Sequence, residues 1–199
     1  ELVEVPRGSR NPTHIIPYFK KFCEEHKLDY TIDEADNVII RVPGTAGLED
    51  KPCVCLQGHW DIVCQKNDDV EIDFEKDPLV PRIVEKDGKK WVMATGTSLG
   101  SDDGIGLAIA MSIAIDKELK HGPLEILITR DEEIGLIGAS MLKPGTLKSK
   151  YLINIDSEDF GIVTISCAGG FNSEFRMNVP FNDMPENYAG LTLSLKGFH

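Results

Sequence analysis

Residues 53–63 read CVCLQGHWDIV. The first part, Cys53 to Gly58, is a short, mostly apolar run of strand length. A run of this kind, bounded by turn residues, is what a strand buried on both faces looks like. His59, Trp60 and Asp61 then break the pattern at once. A core strand that ends on an imidazole and a carboxylate delivers both to the rim of its sheet. Residues two apart in an extended segment share a face, so His59 and Asp61 point the same way.

Outward from this stretch, strands and helices alternate. NVIIRVPG (37–44), PLEILIT (123–129), YLINID (151–156) and GIVTIS (161–166) read as further strands. Ile15, Ile16, Phe19, Phe22 and Cys23 fall at helical spacing and predict an amphipathic helix from about Thr13 to His26. DDGIGLAIAMSIAIDKEL (102–119) reads as a second helix, apolar nearly all round and therefore expected to be buried. RIVEKDGKKWVMA (82–94) reads as a hairpin turning at Asp87–Gly88. The acidic stretch 67–78 lacks the glycine and terminal glutamate spacing of a calcium loop and reads as solvated surface. The expected fold is α/β, a mostly parallel or mixed sheet flanked by helices. After Gly170 the pattern turns to β only, in GGFNSEFRMNVPF (169–181) and AGLTLSLKG (189–197). Residues 1–170 are thus expected to be the N-terminal part of one domain and 171–199 the start of a separate one. The sequence begins without Met and stops within a strand-like run, which reads as a fragment cut at both ends.

Bulk composition narrows the function. The net charge of −12 argues against nucleic acid or a membrane surface as partner, because both are anionic. No apolar run approaches the ~20 residues of a membrane span. Five cysteines without regular spacing give no disulfide framework and suit a reducing, cytoplasmic setting.

The same negative charge asks where the carboxylates sit. Glu132 and Glu133 follow one apolar run, Asp156 ends another, and Asp102 opens the second helix. Open α/β sheets bind ligands outside the carboxyl ends of their strands, so these groups are expected to meet His59 and Asp61 in one crevice. Crowded carboxylates raise each other's pKa and resist burial. Arg130 is the one basic residue close behind these strand ends. One or two divalent metal ions are therefore the simplest neutralising partner. The imidazole can bind metal through one nitrogen while a carboxylate accepts the other N–H. Asp61 can serve that purpose for His59 or for a different histidine. Adjacent Glu132 and Glu133 are expected to face different sides, one towards metal and one towards the substrate's protons.

At these residues the chain resembles the metallopeptidase family that includes carboxypeptidase G, the acylases and the cytosolic dipeptidases. Within it the resemblance runs to the aminoacyl-histidine dipeptidase branch. It is carried by LQGHWDIVCQKN, GTSLGSDDGIGLAIAMSI, HGPLEILITRDEEIGLIGAS, LINIDSEDFGIVTISCAGG and LKGFH. These segments span nearly the whole chain and less than half of a typical member. The resemblance implies two Zn²⁺ ions, with Co²⁺ or Mn²⁺ as alternatives. His59 and Asp156 would bind one ion, Asp102 would bridge both, and Glu133 would bind the second. Glu132 would be general base and acid, and Asp61 would orient a metal-binding histidine. His199 would help polarise the substrate carbonyl, often across a dimer interface. Residues 171–199 would begin an α+β lid and dimerisation domain. A small peptide substrate, a homodimer of the full-length protein and a cytoplasmic location follow from the same resemblance. The chain departs from the family pattern at Trp60, which is expected to reshape the crevice wall, at Cys64, and at Asp103, where the branch typically carries Asn.

The resemblance implies metal-dependent hydrolysis of dipeptides, Xaa-His by preference, with an aminoacylase, tripeptidase or carboxypeptidase of the same family as the alternative, and two rival readings of another class remain. GTSLG (96–100) matches a G-x-S-x-G nucleophile elbow, and Ser98, Asp156 and His199 follow the chain order of that hydrolase class. Gly100 and Ser101 intervene before the helix, however, and the serine reads as a turn residue. The other rival is a metal-binding module without catalysis. His14, His26 and His121 read as surface, cap or loop residues.

Overall fold

Five strands make the main sheet of this computed structural model, in the order β1–β2–β6–β3–β7. Along the chain these are β1 (Asp29–Ile32), β2 (Val38–Val42), β3 (Val54–His59), β6 (Leu124–Thr129) and β7 (Tyr151–Asn154). The hairpin strands β4 (Arg82–Lys86) and β5 (Lys89–Met93) form a separate two-stranded sheet. The helices are α1 (Ile15–His26), α2 (Ser101–Ile115) and the short α3 (Ile137–Ser140). The structure describes residues 1–159, 161–167, 169, 174, 176–178, 180, 186 and 187. The chain divides into two units, Glu1–Phe160 and Gly161–His199, and every named element lies in the first.

The sheet is mixed. β3 runs parallel to β6, from Val54 opposite Leu124 to His59 opposite Thr129. It also runs parallel to β7, from Val54 opposite Tyr151 to Gln57 opposite Asn154. β2 is antiparallel to both β6 and β1. The carboxyl ends of β6, β3 and β7 therefore open on one edge.

Alternation along the strands divides the core. Val38, Ile40, Leu56, Trp60, Ile126 and Ile128 pack with Ile15 and Phe19 of α1 and Leu107 and Ala110 of α2. Ile39, Cys55 and Leu127 face the other side, against Leu142 and Leu147. Both faces are covered, which is why β6 is buried at every position. α1 stops where Lys27 turns left-handed and its N–H bonds back to Cys23 and Glu24. The β4–β5 turn has positive φ at Asp87 and Gly88, as the Asp-Gly pair predicts.

Three expectations are corrected. α2 is not buried all round, because Ile105 and Ile109 lie on a face that no described element covers. It also ends four residues early, where the Asp116 carboxylate accepts the N–H groups of Glu118 and Leu119 and turns the chain. Residues 161–167 form no strand. The alternating segments expected at 169–181 and 189–197 lie largely outside the described residues.

Candidate metal centre

β3 carries His59 to the open edge as its last residue, and the ring there is almost fully buried. Three carboxylates surround its Nε2. Asp102 Oδ1, from the start of α2, lies 2.9 Å away. Asp156 Oδ1, just beyond β7, lies at 3.6 Å, and Glu132 Oε2, just beyond β6, at 4.0 Å. On the other side of the ring Nδ1 stands 3.3 Å from Asp61 Oδ1. That contact is an ion pair by distance but not an aligned hydrogen bond, since Nδ1 has no hydrogen-bond partner among the described residues.

Asp61 ties these segments together. Its Oδ1 accepts the Glu132 backbone N–H at 2.9 Å, and its Oδ2 accepts the Ser9 hydroxyl at 2.8 Å. His59, Asp102 and Asp156 each offer one ligand atom within 4.8 Å of the others, and so do His59, Glu132 and Glu133. The two sets share the His59 ring and form one continuous site. Thus His59, Asp61, Asp102, Glu132, Glu133 and Asp156 are brought together, while His199 lies outside the described residues.

The electrostatics follow from crowding. Burial alone would lower the His59 pKa, but the close carboxylates of Asp156, Asp61 and Asp102 outweigh it and hold the imidazole up at about 11. Burial also opposes ionisation of Asp61, yet its contacts with His59, Ser9 and the Glu132 amide keep its pKa below the usual range. Glu132 and Glu133 are both pushed up, by burial first and by neighbouring carboxylates after it. Asp103 rises to about 7, mainly through burial and then through Asp156. It lies behind the cluster, where its Oδ2 accepts the His59 backbone N–H at 3.3 Å.

The geometry revises two local expectations. Glu132 and Glu133 do not face opposite sides, because the chain leaves β6 through a turn with Asp131 at φ 51. Side-chain alternation belongs to extended backbone, and here both carboxylates reach the His59 ring. Trp60 does not line the crevice. It is fully buried in the core, and its indole N–H donates to the Asp36 carbonyl at 3.2 Å.

Other candidates fall away. Ser98 Oγ donates to the Val63 carbonyl at 2.7 Å and accepts the Gln65 N–H, so it secures a loop. His121 Nδ1 contacts the Gly122 carbonyl in a loop, and the His26 ring packs at a tilt against Phe22. Arg130 turns aside to Asp131 and Asp36. Ser9, by contrast, was not singled out from sequence. It lies in a stretch without periodicity, and its contact with Asp61 spans 52 positions.

An α/β sheet that gathers an imidazole and several carboxylates at the carboxyl edge of its parallel strands has the donor set of a protein that could hold divalent metal there. Comparison with known proteins makes the class specific. The cytosol non-specific dipeptidase of Escherichia coli (strain K12) is 39% identical over 197 residues, covering 99% of this chain and 40% of that protein. The crystal structure of aminoacylhistidine dipeptidase from Vibrio alginolyticus matches with a TM-score of 0.76 at 42% identity, over 80% of this chain and 32% of that one. A tripeptidase structure from Staphylococcus aureus gives a TM-score of 0.62 at 27% identity, over 78% of this chain and 41% of that one. No protein-family model matches. Over most of its length the chain is thus a homologue of these two dipeptidases. It spans about two fifths of the length of its curated Escherichia coli relative.

Proposed function

We propose that the protein carrying this chain hydrolyses dipeptides, with a preference for Xaa-His, in a metal-dependent reaction. The observation that carries this reading is the meeting of His59, Asp102, Glu132, Glu133 and Asp156 around one buried ring. The donor set suits a pair of divalent ions, because one imidazole nitrogen and several carboxylate oxygens approach each other closely. His59 and Asp156 would hold one ion, Asp102 would bridge, and Glu133 would hold the second. Two such ions supply Lewis acidity and lower the pKa of water towards ~7.

The chain's own residues do the rest. Glu132 takes a proton from the attacking water and returns it to the leaving amine, a task helped by its raised pKa. Asp61 lies beside Nδ1, leaving Nε2 as the ligand atom. His199 is assigned to the substrate carbonyl. Zinc, with cobalt or manganese as substitutes, belongs to this reading, as do a homodimer of the full-length protein and a cytosolic location. The location is supported by the name of the Escherichia coli relative. A catalytic part ending near residue 170, with a lid and dimerisation part after it, completes the proposal.

The test is hydrolysis of an Xaa-His dipeptide by the intact protein. A chelator should abolish turnover and added Zn²⁺, Co²⁺ or Mn²⁺ should restore it. Glu132→Gln should keep its metal and lose turnover by about 10²-fold or more. Hydrolysis that survives chelation and labels with a fluorophosphonate would replace this reading with the Ser98 one.

A further inference from the structure

Beneath the cluster runs PRGSR (6–10), a stretch to which the proposed reaction assigns nothing. Arg7 is 1% exposed. Its Nη1 donates to the Trp60 carbonyl at 2.7 Å and its Nη2 to the Gly100 carbonyl at 2.5 Å. Trp60 directly follows His59, and Gly100 stands two residues before Asp102. One guanidinium thus bridges the backbones that carry the two side chains in contact at 2.9 Å.

Neighbouring residues extend the strap. The Ile62 N–H donates to the Arg7 carbonyl at 3.1 Å. Ser9 holds Asp61 through its hydroxyl, and the Arg10 N–H donates to Asp131, next to Glu132, at 2.6 Å. Three residues within four positions, Arg7, Ser9 and Arg10, therefore touch three segments that supply the cluster. Space for the guanidinium comes from glycine. A Cβ at Gly104 would stand 2.6 Å from Arg7 Nη2, and one at Gly100 2.9 Å from it.

The charge matters as well. No carboxylate lies within ion-pair distance of Arg7 among the described residues. Burial brings its pKa down to about 10, while Asp103, Asp61 and Asp102 hold it up, so it stays charged at neutral pH. A fixed cation behind the carboxylates eases their mutual repulsion. The planar fork sets the spacing of two carbonyls, which the single-point charge of a lysine does not reproduce.

We propose that Arg7, seconded by Ser9, is a positioning residue that fixes the spacing of His59 and Asp102 and so sets the affinity and coordination geometry of the metal centre. The inference rests on the metal-centre reading above.

Its test uses the intact protein and the Arg7→Gln, Arg7→Lys and Ser9→Ala variants. Each is titrated with Co²⁺, followed by the visible absorption of the bound ion, and with Zn²⁺ against a chelating dye. Melting temperature, kcat and KM are recorded beside these. Both Arg7 variants should lose metal affinity by about tenfold or more and shift the Co²⁺ spectrum. Their kcat should fall more than KM rises. Ser9→Ala should show a smaller loss in the same direction. Folded Arg7 variants with parental affinity and an unchanged Co²⁺ spectrum overturn the inference, even if their melting temperature drops. Full recovery by lysine overturns it too, because charge without the fork would then suffice. If the Arg7 variants do not fold, Ser9→Ala decides, and a parental spectrum and affinity there count against the strap. A parent protein that binds neither ion overturns the metal-centre reading itself. A parent that binds, with variants that bind equally, overturns this inference alone.

Discussion

A cation that binds His59 through Nε2 must displace the proton that faces Asp102 and Asp156 there, from an imidazole whose pKa is raised to about 11. Metal affinity should therefore rise with pH across the neutral range, by close to tenfold per unit from this one proton. Calorimetry at pH 7 in buffers of different ionisation enthalpy should find about one proton released from His59 per ion. A pH-independent affinity would contradict the geometry around Nε2. Asp103 gives a second pH effect, read in the presence of chelator. Its pKa is raised from 3.8 to about 7, so between those values the folded chain binds more protons than the unfolded one. Its contribution to stability must fall as pH rises through that window. Asp103→Asn should remove that part of the slope and raise the melting temperature above pH 7, as melts from pH 4 to pH 8 would show. His59 acts in the same direction over a higher window. Its raised pKa contributes stability that is complete below pH 6.5 and is lost as pH climbs towards 11.

Helix α2 can approach β3 because Gly58 and Gly106 leave room for one buried carboxylate. A methyl at Gly58 would run into Asp103 Oδ2 and stand 3.1 Å from Leu107 Cδ2, and one at Gly106 would run into Asp103 Oδ1. Gly58→Ala should cost about 1–3 kcal/mol by overpacking. By displacing Asp103 from the His59 amide it should weaken metal binding as well. Gly88→Ala supplies the contrast. Its site has φ +68 with nothing nearby, so it should cost about 1–2 kcal/mol of backbone strain and leave metal affinity alone. Denaturant melts and Co²⁺ titrations of both variants check the pair. Elements with a strong local signal were legible: β3 and β6 from their apolar runs, α1 from its spacing, β4–β5 from Asp-Gly. β1 was missed because four half-exposed residues directly after a helix carry little pattern. α3 was missed because one turn has no period to read. The outer face of α2 was misjudged because an apolar face tells what a neighbour would favour, not whether one is there.

Folding brings the carboxyl ends of β6, β3 and β7 to one edge, and α2 starts beside them. A ligand held by residues so far apart in sequence binds the folded state alone, so metal should stabilise the whole unit. At a hundredfold excess over Kd the gain is about 2.7 kcal/mol, or about 5–10 °C for a domain of this size. Scanning calorimetry should record that shift, EDTA should reverse it, and His59→Ala should abolish it. A shift that persists in His59→Ala would place the ion elsewhere. The sequence by itself determined the α/β class, the core strands and the residues that end them, because hydrophobic period and strand polarity are local properties. It thereby pointed to the meeting of His59, Asp61, Asp102, Glu132, Glu133 and Asp156. Only the tertiary structure decided that Arg7 and Ser9 lie beneath that cluster, that Glu132 and Glu133 face the same ring, and that Trp60 belongs to the core. Those outcomes depend on which distant segments touch and on how a turn redirects the backbone, and neither leaves a trace in neighbouring residues.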